Sequence, residues 1–120
     1  MGEDAGMTDI RRNAANQNTY RDINERVMET NARFELDGEQ HRAVEVLCEC
    51  GRAGCADRVE VTREIYERLR ADPGTFVLTP GHEEGLVETV IQSTAGYVIA
   101  RNIGEAARIA FAGDPRHGRS

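Results

Sequence analysis

The chain has no lysine and no tryptophan, and aromatic residues make up only 5% of its 120 residues. Without lysine there is no Schiff-base catalysis and no G-x-x-x-x-G-K-[ST] phosphate loop. No G-x-G-x-x-G run replaces that loop, so nucleotide hydrolysis is disfavoured. Long apolar runs are missing too. The longest windows, around Ala43–Cys48 and Tyr97–Ala100, fall far short of the roughly 20 residues that cross a bilayer. The start, Met1-Gly2-Glu3-Asp4, is acidic where a secretion signal is basic, and no apolar stretch follows. The expectation is a cytoplasmic protein without a membrane segment. A net charge of −6 repels phosphate backbones, so no nucleic-acid partner is expected. Three cysteines are an odd number for a disulfide framework, and a reducing compartment keeps them as thiols or metal ligands.

What is present suits one packed core, with 39% apolar and 30% charged residues in a chain of single-domain length. Composition divides it into a disordered tail over 1–7, a domain over 8–112 and a flexible tail over 113–120. No Pro or Gly interrupts Thr8–Arg33, and Tyr20, Ile23, Val27 and Phe34 recur at steps of three, four and seven. That spacing predicts a long helix, firmest over 19–33, with 10–18 a frayed or separate turn behind a Thr19/Asp22 cap. The apolar stripe is longer than a small sheet covers. It points to a protein partner, or to a homodimer through the N-terminal helix. Asp37-Gly38-Glu39-Gln40 reads as a loop.

Period-two patterning then takes over. Val44 and Val46 alternate with Glu45, and an uninterrupted strand points Cys48 and Cys50 the same way as the valines. Val59 and Val61 flank Glu60 in a second strand. Thr62 caps a helix that carries Ile65 and Leu69 and stops at Pro73. Thr75–Thr79 reads as a strand closed by Pro80-Gly81, and Gly96 turns a hairpin between 87–93 and 97–101. Leu86, Val87, Val90 and Ile91 also fit a short helix, which stays open as an alternative. Gly104–Phe111 reads as a small helix. The sum is an α+β domain: a long N-terminal helix packed on a small, mostly antiparallel sheet with one inserted helix and a short C-terminal helix.

The chemistry concentrates in Cys48-Glu49-Cys50-Gly51-Arg52-Ala53-Gly54-Cys55, a C-x-C-x4-C run with glycines where the backbone must fold back. Three soft thiolates select zinc, copper(I) or iron–sulfur, and zinc needs a tetrahedron of ligands at about 2.3 Å from each sulfur. A fourth ligand must come from elsewhere. His82 is the favoured candidate, because Pro80-Gly81 ends a strand just before it; water is the alternative. His41 lies seven residues before Cys48, roughly 23 Å away along an extended strand at about 3.3 Å per residue. His117 falls in the expected tail. Ordinary buried thiols, or a redox pair within Cys48, Cys50 and Cys55, are the competing readings.

The run Cys48-Glu49-Cys50…Cys55, followed by Glu64-Ile65-Tyr66-Glu67, Arg70, Pro73, Phe76 and Pro80-Gly81-His82-Glu83, resembles a group of small uncharacterised bacterial proteins. Asn24-Glu25-Arg26 in the first helix belongs to the same pattern. The resemblance implies a pairing of the cysteine run with the Pro-Gly-His-Glu turn, and no activity. His82-Glu83-Glu84 is not a full H-E-x-x-H, because residue 86 is Leu, and three thiolates favour a closed structural ion over a catalytic one. The expected function is a zinc-stabilised regulatory or protein-interaction module without catalysis. The alternative is a thiol-redox protein or sensor.

Overall fold

Residues 2–34 and 41–116 are described by the structure, a computed structural model. The loop expected at Asp37–Gln40, and the end of the expected C-terminal tail from His117 to Ser120, lie outside the described residues. The helix α1 spans Gly2–Arg33 without a break, so residues 10–18 are neither frayed nor a separate turn. It also takes in most of the stretch before Thr8 that composition assigns to a tail.

The buried stripe of α1 is Ala14, Gln17, Arg21, Asn24 and Met28, at alternating steps of three and four. The apolar set expected there is only partly covered: Val27 packs against the core and Tyr20 is half-buried, but Ile23 is 37% and Phe34 79% exposed. Polar side chains face inward because other elements supply partners. Arg21 donates through Nη1 to the Pro73 carbonyl (2.8 Å) and through Nη2 to that of Ala110 (2.9 Å), with its guanidinium 5.1 Å from the Phe76 ring centroid.

The strands β1 (Ala43–Leu47) and β2 (Arg58–Thr62) form an antiparallel pair in which Val46 and Val59 face each other and are buried. The Thr62 hydroxyl accepts from the Ile65 amide (3.1 Å) and starts α2 (Arg63–Leu69), which buries Tyr66 and Leu69. The strands β3 (Thr75–Leu78), β4 (Glu88–Ser93) and β5 (Val98–Asn102) make a second antiparallel sheet in the order β3-β5-β4, and α3 (Gly104–Ala112) closes the chain's regular structure. The expected single sheet is thus two. The helical alternative at 86–91 is overturned by a bulge: Val90 faces Ala100 and Gln92 faces Ile99, which leaves Ile91 as an extra residue. That insertion breaks the period of two and imitates helical spacing.

Past α3, Asp114 and Arg116, in the segment read as loose, are docked. Arg70 pairs with Asp114, and Arg116 donates along one edge to Glu25 (2.7 and 2.8 Å) and along another to Glu67 (both 3.0 Å). Among the described residues no helix is long and apolar enough to cross a membrane.

Candidate metal centre

The strand β1 ends at Leu47, the Cys48 amide adds one more bond in its register by donating to the Asp57 carbonyl (2.9 Å), and from Glu49 the chain runs along the outer edge of β3. The Glu49 amide donates to the Val77 carbonyl (2.8 Å), and the Glu49 carboxylate accepts the Val77 amide (3.0 Å). Both peptide groups of Val77 are therefore met by one residue, as a strand partner would meet them. The other Glu49 oxygen accepts from Asn24 Nδ2 and the Tyr66 hydroxyl, each at 2.8 Å. Alternation predicts an outward Glu49, yet it is fully buried, and burial pushes its carboxyl above the usual range. Cys48 and Cys50 flank it and are 1% and 0% exposed, so their predicted inward direction holds although the strand does not persist.

Two matching turns bring up the remaining ligands. In Arg52-Ala53-Gly54-Cys55 the Cys55 amide donates to the Arg52 carbonyl (3.1 Å), and Gly54 holds φ +80°. In Thr79-Pro80-Gly81-His82 the His82 amide donates to the Thr79 carbonyl (3.0 Å), and Gly81 holds φ +89° behind a proline. Proline at the second position and a left-handed glycine at the third define a type II turn. Each turn delivers its last residue to the same place.

The ligand atoms of Cys48, Cys50, Cys55 and His82 all lie within 4.8 Å of one another. His82 Nδ1 is 3.6 Å from Cys48 Sγ and 3.7 Å from Cys55 Sγ. Zinc bonds of about 2.3 Å to sulfur and 2.0–2.1 Å to nitrogen, at a tetrahedral angle, place sulfur and nitrogen about 3.6 Å apart. The observed spacing therefore fits a tetrahedral ion without rearrangement of these two edges. The four side chains form a candidate metal site from one imidazole and three thiols, a donor set that suits zinc.

The electrostatics prepare one sulfur. The Cys50 thiol and the Thr79 amide (3.1 Å) both donate to Cys48 Sγ and hold its thiol down to about 5, against the opposing effect of burial. Cys50 keeps the proton it donates and is pushed up. A metal entering here displaces that proton. The second ring nitrogen of His82, Nε2, faces Asp57 Oδ2 at 3.4 Å. Asp57 and Glu49 are the residues sequence reasoning missed: each is recruited by contacts between distant segments, and no local spacing marks either one.

His41 is not at the site; its side chain is 66% exposed and paired with Glu64 at 3.1 Å. Comparison with protein-family models, with curated proteins and with solved structures finds no match.

Proposed function

We propose that Cys48, Cys50, Cys55 and His82 hold one structural zinc ion, and that the protein is a zinc-stabilised, non-enzymatic regulatory or protein-interaction module of a reducing compartment such as the cytoplasm. The observation that carries this reading is the pair of sulfur–nitrogen spacings, 3.6 and 3.7 Å, which match the edges of a tetrahedral zinc site. Four protein ligands leave no open position for a substrate, which favours structure over catalysis. The resemblance of the cysteine run and the Pro-Gly-His-Glu turn to a pattern in small bacterial proteins is proposed to reflect the same ligand set. A protein partner or a second copy is proposed to cover the exposed face of α1 around Ile23 and Phe34.

Zinc per chain, measured by elemental analysis on untagged protein purified without chelator, tests the reading. One zinc, with three thiols protected until chelation, is the expected result. No metal and freely reactive thiols would retire it. The thiol-redox reading draws on the Cys50-to-Cys48 hydrogen bond, which holds Cys48 toward thiolate. It predicts a reduced, metal-free protein that stays folded in chelator and forms a reversible intramolecular disulfide with mild oxidant.

A further inference from the structure

The candidate site has an inner and an outer half. Cys48 and Cys50 are buried on the edge of β3, whereas Cys55 is half-buried and the His82 side chain is 22% exposed. An ion held there exchanges with solvent past the outer half. His82 can serve only in the tautomer that leaves Nδ1 free of its proton and carries it on Nε2, because Nδ1 is the nitrogen that meets Cys48 and Cys55. The group facing Nε2 is Asp57, at 3.4 Å. Its side chain is 54% exposed, but its backbone is fixed to the site: the Cys48 amide donates to the Asp57 carbonyl at 2.9 Å. One residue thus touches a ligand from the inner half through its backbone and a ligand from the outer half through its carboxylate.

We propose that Asp57 is a positioning residue of the metal site: it accepts the His82 Nε2–H, keeps Nδ1 aimed at the ion, and sets how fast the solvent-facing arm releases it. This rests on the zinc reading. A carboxylate behind a ligating histidine fixes the ring and raises its basicity, and losing one typically lowers metal affinity about 10–100-fold. The exposure of Asp57 and the length of the contact place the effect near the lower end, about tenfold.

The test uses the full chain loaded with zinc and follows transfer of the ion to a chromophoric chelator. Asp57→Asn keeps the backbone carbonyl and side-chain shape but removes the charge. It is expected to bind one zinc and release it about tenfold faster, and Asp57→Glu is expected to recover most of the loss. In the wild-type protein, nitrogen-15 spectra of His82 should show Nδ1 on the metal and the proton on Nε2, a signature that mere support of the fold does not produce. An Asp57→Asn protein with wild-type release, or a His82 bound through Nε2, overturns the role of Asp57 and leaves the zinc reading standing. A wild-type protein with no zinc overturns both.

Discussion

Glu49 carries a carboxyl group into the interior and finds three donors there: the Val77 amide, Asn24 Nδ2 and the Tyr66 hydroxyl. Replacing it with leucine strands all three, and each buried orphan costs on the order of 1–3 kcal/mol. Glu49→Leu is therefore expected to lower unfolding stability by several kcal/mol in urea titration and, because both neighbours in sequence are thiols of the site, to lower metal content with it. Cys55→Ser should lose metal and melting temperature together. Glu45→Gln, on the exposed side of β1 in an ion pair with Arg58 across the strands, is the control and should change neither. Unchanged melting and full metal content in Cys55→Ser would sink the structural-zinc reading.

Glu88 is the second buried carboxylate. It accepts from Gln17 Nε2 (2.7 Å) and the Glu84 amide (3.0 Å), yet burial dominates and raises its carboxyl to about 7. The native protein then binds this proton more tightly than the unfolded chain, whose carboxyl titrates near its ordinary 4.5. The contribution is fully present below pH 4.5 and is lost as pH rises through about 7. The loss is on the order of 3 kcal/mol from the size of the shift. Stability measured from pH 4.5 to 8 should fall along this limb, and Glu88→Gln should flatten it.

At the scale of elements, periodicity located α1 but only the margin of its buried face. Counting apolar residues selects Tyr20, Ile23, Val27 and Phe34; the structure half-buries Tyr20 and Val27 but places Gln17, Arg21 and Asn24 at the centre of the face. Asn24 shows why: its side-chain amide donates to the Leu47 carbonyl and accepts the Leu47 amide, both at 2.9 Å, completing the strand end as a peptide would. A polar residue that finds such partners is invisible to a hydrophobicity count, because its burial depends on a backbone far away in sequence. The α2 cap, the β2 alternation and the Pro-Gly turn were legible because their causes are local. The difference in α1 is measurable. Phe34→Ser should stay within about 0.5 kcal/mol of wild type in the monomer. Arg21→Ala removes buried volume and leaves the carbonyls of Pro73 and Ala110 unmet, and should cost about 3–5 kcal/mol in the same titration. Sedimentation of Phe34→Ser against wild type tests the partner face: a self-associating wild type and a monomeric variant would mark it as the dimer contact.

For the whole molecule, the cysteine segment joins two sheets that are otherwise separate ladders. A two-stranded hairpin such as β1–β2 is marginal alone, so its order depends on what ties it to the rest. Under the zinc reading the candidate metal site is one tie, and the Glu49–Val77 pairing is another. Chelation is expected to raise hydrogen exchange first in β1, β2 and the 48–55 turn, while β3 and β5, which pair with each other and bury Phe76, Val77 and Ala100, hold out longest. Uniform exchange after chelation would mean that the ion supports the fold as one unit. The cysteine spacing was legible in sequence because ligand chemistry restricts residue types. The split into two sheets was not, since it depends on β1 stopping at Leu47 to let Glu49 turn inward.

One of the close approaches among the described residues lies between the cysteine turn and α1. A Cβ at Gly51 would sit 2.4 Å from the Asn13 carbonyl oxygen, and Asn16 Nδ2 donates to the Gly51 carbonyl at 3.0 Å. The turn that carries the thiols and the first half of the helix therefore have no slack between them, and order in one is order in the other. Coupling of that kind has no preferred direction. Under the zinc reading, a ligand that binds α1 and the ion in the candidate site would change each other's affinity by one and the same factor. A dissociation constant measured for zinc at the candidate site would then report whether the helix is occupied, even for a ligand that never comes near a sulfur atom.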